Sequence, residues 1–94
     1  MRRAGRTDGN QARVVAKLRE LGCLVWITSA VGHGAPDLVI RTPRGTVLLV
    51  EVKDGTAPLR QRQLTPDELL FSADWGASYV VVSSDADARR VAAC

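Results

Sequence analysis

Three charged residues, Asp37, Glu51 and Lys53, flank a short apolar hairpin in the sequence. The turn at residues 42–45, Thr-Pro-Arg-Gly, has Pro at its second position and Gly at its fourth. That pattern predicts a three-residue hairpin loop closed by a left-handed Gly. Counting outward from the pair at the loop, Asp37 faces Glu51. A four-residue loop would instead pair Asp37 with Val50 and turn its carboxylate to the other face.

Opposed carboxylates need a positive charge between them. Directly opposed side chains on one face have β-carbons roughly 5 Å apart, and two carboxylates so placed repel each other. Lys53 projects to the face of Glu51, whereas Val52 points away and offers only its backbone. Lys53 could neutralise the pair, but a divalent cation is the natural occupant, since Mg²⁺ takes carboxylate oxygens plus waters at about 2.1 Å.

The alternative is a solvent-facing hairpin that carries a cross-strand salt bridge and no chemistry. Against it, the apolar run at residues 48–50 has no polar alternation, which is typical of a strand buried on both faces. A charged triad at the end of such a strand favours a functional site.

The first half of the chain predicts a helix, a strand and a glycine-rich loop. An apolar stripe predicts the first helix over residues 9–21, and Asp8 with Gln11 has the pattern of a capping box. Residues 23–30 predict a strand that leads into the loop at 31–36. Two glycines bracket His33 in this loop, so its backbone could approach a ligand closely.

The second half adds two strands around the hairpin turn, a polar connection and a helix. We expect strands over residues 37–42 and 46–54 and an irregular connection at 55–63. Thr65 suits the N-cap of the next helix, with Pro66 at its first position. We expect this helix to bury three side chains: Leu69, Leu70 and Trp75. A strand over residues 79–83 and a helix from Asp85 through Val91 follow.

The element order α-β-β-β-α-β-α predicts an α/β protein with a mixed sheet covered by helices. Its 94 residues fit one domain, residues 1–94, too small for a second lobe or a separate cofactor domain. Residues 1–6 are basic and lack apolar periodicity, so we expect a flexible arm or a solvated terminus.

Composition excludes several classes of protein. Hydrophobic residues make up 46% and charged residues 24%, which is ordinary for a globular chain. The apolar runs are too short for a membrane span, so we expect a soluble, unprocessed cytoplasmic protein. Cys23 and Cys94 lack metal-ligand spacing, and Cys23 suits a buried position. A net charge of +3, carried mostly by arginine, weakly favours a nucleic-acid partner and also serves solubility.

The motifs resemble the PD-(D/E)XK nuclease superfamily. Gly34-Ala35-Pro36-Asp37 is followed, after a short hairpin, by Glu51-Val52-Lys53. Together with Leu-Thr-Pro-Asp-Glu at residues 64–68, this version is similar to the VRR-NUC branch in its small stand-alone form. The resemblance covers nearly the whole chain and implies a restriction-endonuclease-like αβββαβ core.

The resemblance implies an Mg²⁺- or Mn²⁺-dependent phosphodiesterase in which Asp37 and Glu51 bind metal and the Val52 carbonyl completes the site. Lys53 would position or activate the attacking water and offset charge on the phosphate. Members tend to carry a glutamate on the first helix, where this chain has Gln11. Its amide could ligate metal or hold a coordinated water but adds no charge, or it could simply cap the helix.

Further residues are candidates for accessory roles. A polar residue on the helix after Lys53 points into the site of relatives, and Glu68 or Gln63 could supply it, although Glu68 also suits a helix N-terminus. His33 could touch the scissile phosphate, although a lone loop histidine is usually idle. Trp26 and Trp75 are expected in the core. The candidate phosphate-binding arginines, which a solvated loop or arm explains about as well, are Arg60, Arg62, Arg2, Arg3 and Arg6.

These observations predict a DNA endonuclease that binds backbone phosphates and, by the resemblance, cuts branched DNA such as four-way (Holliday) junctions or flaps. Paired cuts in a junction favour a two-fold homodimer, whose pairing surface is not legible from sequence. One alternative is a catalytically weak or inactive DNA-binding module of the same fold, suggested by Gln11. Another is an interaction protein without a nucleic-acid partner.

Overall fold

The chain folds around a four-stranded mixed sheet in a computed structural model that describes residues 9–94. The strands are β1 (Leu24–Ile27), β2 (Leu38–Arg41), β3 (Val47–Val52) and β4 (Tyr79–Val82), and they lie in this order across the sheet. β1–β2 and β2–β3 are antiparallel, and β3–β4 are parallel. Apart from a short helix between β3 and β4, the predicted order of the strands and longer helices and the mixed sheet are confirmed.

The hairpin between β2 and β3 has the predicted register. The Thr42 N–H donates to the Thr46 carbonyl at 2.8 Å, and the Gly45 N–H donates to the Thr42 carbonyl at 2.8 Å. Gly45 has φ +91°, the left-handed conformation that glycine adopts without strain. Leu38 therefore pairs with Val50, and one further step outward brings Asp37 opposite Glu51.

Two helices cover one face of the sheet, here called the inner face. They are α1 (Gln11–Glu20) and α4 (Asp85–Ala92), which contact each other and the sheet. Alternation along the strands sends every second side chain under these helices, where each fully buried aliphatic contributes roughly 1.5–3 kcal/mol. The most deeply buried members of this core are Leu18, Leu38, Ile40, Val50, Val82 and Val91.

The connection from β3 to β4 runs over the opposite face, here called the outer face. It contains a one-turn helix, α2 (Leu59–Arg62), where an irregular segment was expected, and then α3 (Pro66–Trp75). Thr65 caps α3 as predicted: its side chain accepts from the Glu68 N–H, and the Glu68 carboxylate accepts from the Thr65 N–H. Pro66 occupies the first turn, where its missing N–H costs nothing.

The prediction that the apolar residues of α3 are buried is wrong. Leu69, Leu70 and Trp75 are 55%, 68% and 53% exposed, and α3 has no buried residue. Trp26, also expected in the core, is 69% exposed because it projects from β1 on the outer face, at a point that no helix within residues 9–94 covers. Trp75 instead stacks on Phe71 with ring centroids 6.1 Å apart.

Other differences are local. α1 begins at Gln11, after the N-cap Asn10, whose side chain makes no capping bond, and Asp8 of the predicted capping box lies outside the described residues. β2 begins one residue later than predicted and β3 ends two residues earlier, at Val52. Both cysteines are free, Cys23 buried as expected and Cys94 exposed.

No helix within residues 9–94 is long and apolar enough to cross a membrane.

Candidate active site

The two predicted carboxylates meet at the end of the outer face where β2 begins and β3 ends. Glu51 is only 4% exposed although it carries a carboxyl group. Asp37 is half-buried, and its Oδ2 accepts a 2.8 Å hydrogen bond from the Val52 N–H. The register of the hairpin therefore brings Asp37 and Glu51 together, as expected from the turn chemistry.

The backbone beside these carboxylates departs from a regular ladder because of Pro36. Extending the register by two steps beyond Leu38–Val50 sets Pro36 opposite Val52. Proline has no N–H, so it cannot donate to the Val52 carbonyl. The Val52 N–H donates to Asp37 Oδ2 rather than to the Pro36 carbonyl, and the Pro36 carbonyl accepts from the Thr28 hydroxyl at 2.8 Å. The Val52 carbonyl, which lies next to Asp37 and Glu51, therefore lacks the N–H donor that a residue other than proline would supply at position 36.

Lys53 lies beside two carboxylates. Its Nζ is 2.9 Å from Glu68 Oε1 and 3.9 Å from Glu51 Oε2, with only 12% of the lysine side chain exposed. Asn10, at the start of α1, donates to the Lys53 carbonyl at 2.8 Å and so ties α1 to this end of β3. Glu68 is held in turn by the Thr65 N–H at 2.9 Å. The ammonium is therefore directed by both the strand and the start of α3.

Tyr79 is a site residue that the sequence reasoning missed. Its hydroxyl lies 3.4 Å from Glu51 Oε1 and donates to it, and its ring packs against Phe71 with centroids 6.2 Å apart. The parallel pairing of Leu49 with Tyr79 sets the ring two residues from Glu51 on the same face. Tyr79 begins an apolar strand, so its sequence context indicated packing; only the parallel register reveals the hydroxyl's partner.

Electrostatics at the site are dominated by burial. Burial, with the neighbouring Asp37 and Glu68 carboxylates, raises the pKa of Glu51 to about 9. Burial also raises the pKa of Asp37, and the Val52 N–H offsets only part of that effect. Burial opposes ionisation of Glu68 too, but hydrogen bonds from Lys53 and the Thr65 N–H outweigh it and lower its pKa. The protein alone supplies too little positive charge for all three acids to ionise.

Gln11 is buried at the same end of the molecule. It is 3% exposed, and its Nε2 donates to the Ser29 hydroxyl at 3.3 Å. Ser29 follows Thr28, whose N–H donates to the Asp37 carbonyl at 2.7 Å. The Gln11 Oε1 is buried with no hydrogen-bond partner among residues 9–94. A solvent-facing capping glutamine would leave no such orphan, which normally costs about 1–3 kcal/mol.

A solved structure described as a "VRR_NUC domain" is similar to this chain. The two share 31% sequence identity with a TM-score of 0.65, and the match covers 89% of this chain and 95% of that one. The chain belongs to the VRR-NUC family. No protein-family model matches it, and no curated protein does. Membership of the VRR-NUC family identifies the chain as a nuclease-family domain, and the shared fold agrees with the predicted αβββαβ core.

The accessory candidates of this VRR-NUC domain lie on α3, just before it, and in the glycine loop. Of the two accessory candidates on or before α3, Glu68 contacts Lys53, whereas the exposed side chain of Gln63 makes no hydrogen bond to the described residues. His33 is exposed in the glycine loop with φ +58°, uncommon for a non-glycine residue. Gly34 packs so tightly on α3 that a β-carbon there would lie 2.7 Å from the Asp67 backbone. The loop and the start of α3 therefore form one wall of the site.

The predicted arginines are exposed or outside the described residues. Arg60 and Arg62 lie in the last turn of α2, which in the chain separates Lys53 from Glu68. Hydrogen bonds from the Thr56 hydroxyl and N–H lower the pKa of Asp54, next to Lys53, and the charge of Arg62 adds a smaller effect in the same direction. Arg2, Arg3 and Arg6 precede residue 9 and are not described.

The donor set of the site fits a divalent cation that prefers oxygen. Within residues 9–94, no group of three His, Cys, Asp or Glu side chains could hold a metal by itself. The oxygens at the site are the Asp37 and Glu51 carboxylates and the Val52 carbonyl beside Pro36. The orphaned Gln11 amide oxygen lies on α1, and the amide nitrogen of the same side chain donates to Ser29. Mg²⁺ is commonly bound by one or two carboxylates and keeps several of its waters. A site with two carboxylates therefore suits Mg²⁺.

Proposed function

We propose that this VRR-NUC domain is an Mg²⁺- or Mn²⁺-dependent DNA endonuclease whose centre consists of Asp37, Glu51 and Lys53. The observation that carries the proposal is the convergence of two desolvated carboxylates and a lysine at one end of the sheet, in a chain of a nuclease family. Burying ionised acids beside each other is unfavourable unless a proton or a cation neutralises them, and a divalent cation can neutralise both at once.

Asp37 and Glu51 would hold the cation with the Val52 carbonyl, and the Gln11 amide oxygen would hold either the cation or a water beside it. Bound there, the cation would act as a Lewis acid toward phosphate oxygens and increase the acidity of nearby water. The Val52 N–H orients Asp37, and the Tyr79 hydroxyl orients Glu51. These contacts hold the oxygens in place before a ligand arrives, as partners of metal ligands commonly do.

Lys53 would supply the positive charge that offsets the charge developing on the phosphate. Among residues 9–94, its Nζ is at hydrogen-bond distance from Glu68 alone, an arrangement that directs the ammonium. Glu68 thus acts as a positioning residue, in addition to closing the capping box of α3.

The DNA would be bound through its phosphates. Arg60 and Arg62 are exposed on α2, which lies between Lys53 and Glu68 in the chain, and His33 is exposed in the glycine loop that precedes Asp37. The basic residues Arg2, Arg3 and Arg6 would add charge. Such contacts carry little base specificity. By the resemblance to the VRR-NUC branch, we propose structure-selective cleavage of branched DNA, such as four-way junctions or flaps, by a two-fold homodimer that presents two centres.

The test is a cleavage assay on linear duplex, flap and four-way-junction DNA with Mg²⁺, Mn²⁺ or EDTA. Wild type should cut branched DNA with either metal and not with EDTA, and Asp37→Asn and Lys53→Ala should not cut. Two matched controls make the same kinds of substitution away from the site. Asp85→Asn changes the acid that pairs with Arg13, and Lys17→Ala changes the lysine that pairs with Glu20. Both controls should retain activity.

Each other outcome of this assay has a defined meaning. Cleavage that survives Asp37→Asn and Lys53→Ala would overturn the assignment of the site. Tight DNA binding with no cleavage in either metal would instead identify an inactive DNA-binding module, the alternative that Gln11 suggests. Equal cutting of linear and branched DNA would remove the structure selectivity while leaving the nuclease intact.

A further inference from the structure

The outer face of the sheet is open at the end opposite the site. Leu24 and Trp26 on β1 are 68% and 69% exposed, and Val47 on β3 is 57% exposed. The pairing of Trp26 with Val39, and of Val39 with Leu49, makes these side chains one continuous surface across three strands. We call this surface the sheet patch; its residues are Leu24, Trp26, Val39, Val47 and Leu49. Monomers rarely expose apolar patches larger than a few hundred Å².

A second apolar surface lies on α3. Pro66, Leu69, Leu70 and Ala73 are spaced i, i+3, i+4 and i+7, which sets them along one side of the helix. All four are exposed, because α3 turns its other side, with Glu68 and Phe71, toward Lys53 and Tyr79. We call these four residues the helix stripe. It points away from the protein's own sheet, so it has no partner within residues 9–94.

The charges beside the two surfaces are opposite. α3 carries Asp67, Glu68 and Asp74 and no basic residue. Apart from Glu51 at the site end of β3, the strands of the sheet patch carry one charged residue, the exposed Arg41, and Arg44 follows in the hairpin. Stripe against stripe would bring acids together, which is unfavourable, whereas stripe against patch pairs opposite charges.

We infer that the helix stripe of one copy packs on the sheet patch of a second copy, and the reverse, to form a two-fold dimer. One chain carries both complementary surfaces, so a single symmetry operation makes both contacts. Because each copy contributes a stripe and a patch, the contact forms twice. Two contacts bury more surface than one, and a standard interface buries roughly 800 Å² per partner. The inference rests on the proposed homodimer and assigns its surface.

The test is the molar mass of the purified protein from light scattering or sedimentation equilibrium, without DNA or metal. Wild type should be dimeric at micromolar concentration. Leu70→Asp in the stripe and Trp26→Asp in the patch should each weaken dimerisation by more than about tenfold. Leu59→Asp is the matched control, because Leu59 is 64% exposed on α2, outside both surfaces. Circular dichroism verifies folding, and Leu24→Lys replaces Trp26→Asp if the latter does not fold.

Mixing the two variants identifies the mode of pairing. The Trp26→Asp chain keeps an intact stripe and the Leu70→Asp chain keeps an intact patch, so a heterodimer would contain one undamaged contact. Each variant alone would have none. A mixture should therefore dimerise more tightly than either variant, by about tenfold or more.

Several results would overturn the inference. They are a monomeric wild type at about 100 µM, equal weakening by Leu59→Asp, an unaffected Trp26→Asp dimer, or no gain on mixing. An always-monomeric protein in which Leu70→Asp weakens DNA binding would make DNA the occupant of the stripe. Because mass is measured without cleavage, a dimer that cuts no DNA would contradict the proposed function and leave the surface assignment standing.

Discussion

The two faces of the sheet place their side chains in different environments. On the inner face, Leu38 and Val50 are fully buried beneath α1 and α4. On the outer face, one register step from each, Asp37 and Glu51 are packed together despite their charge, and further along Trp26 is exposed. Side-chain alternation along β2 and β3 separates the two environments by a single residue.

We expect this difference to separate stability from function within one small domain. The inner face is closed and apolar, so its contribution to folding does not depend on a ligand. The outer face has buried acids at one end and exposed apolar side chains at the other, and both are unfavourable for an isolated chain. A cation at one end and a second copy at the other would relieve both, so the outer face is where partners are expected.

The largest expected effect comes from Glu51→Gln at the acidic end. Cleavage should fall by at least about a hundredfold, because a neutral amide replaces a carboxylate that would hold the cation. The free energy of unfolding should stay within about 1 kcal/mol or rise, since the change removes a crowded acid and keeps its shape. Urea denaturation and the cleavage assay measure the two quantities on one sample.

Leu38→Ala is the matched change on the inner face, next to Asp37 in the chain. A fully buried leucine truncated to alanine should cost roughly 2–5 kcal/mol of unfolding free energy. Cleavage by the folded fraction at low temperature should be nearly unchanged. If Glu51→Gln destabilised as much as Leu38→Ala, or Leu38→Ala abolished cleavage in the folded state, the two faces would not have separate roles.

Tyr79→Phe should have an intermediate effect. It keeps the ring against Phe71 and removes only the hydroxyl that donates to Glu51. The Mg²⁺ concentration for half-maximal cleavage should rise about tenfold, with the rate at saturating Mg²⁺ nearly unchanged. Mn²⁺ binding, followed by calorimetry without DNA, should weaken to the same degree. A lower saturating rate with unchanged metal affinity would contradict the positioning role of Tyr79.

The smallest expected effect distinguishes two helix caps. Thr65→Ala and Ser84→Ala each remove an N-cap side chain, from α3 and α4, and should each cost about 1 kcal/mol of unfolding free energy. Only the first loosens Glu68, so only Thr65→Ala should slow cleavage, by roughly threefold. The pair of rates under saturating metal checks this. Equal rates in both variants would mean that the cap of α3 does not position Lys53.

Local sequence chemistry predicted much of the fold. Pro43 and Gly45 specified the turn, and the turn specified the register that joins Asp37 to Glu51. The cap and first-turn proline of α3 were also readable, because Thr65, Pro66 and Glu68 act within a few residues of one another. Interactions of this range depend little on the rest of the chain.

Contacts between distant segments were not readable. Tyr79 and Asn10 reach the site only through the parallel β3–β4 pairing and the packing of α1. The apolar residues of α3 gave a wrong prediction for the same reason. Periodicity shows that Leu69 and Leu70 share a side of the helix, but not whether that side meets this chain's own sheet.

The sequence by itself determined which residues are acids, where the hairpin turns and therefore that Asp37 and Glu51 oppose each other, since these follow from turn chemistry and two-residue alternation. Only the tertiary structure decided that Glu68 and Tyr79 join them, that Gln11 is buried with an orphaned oxygen, and that α3 leaves its apolar side exposed. Those features depend on how helices lie across a sheet, and packing between segments far apart in sequence sets that arrangement.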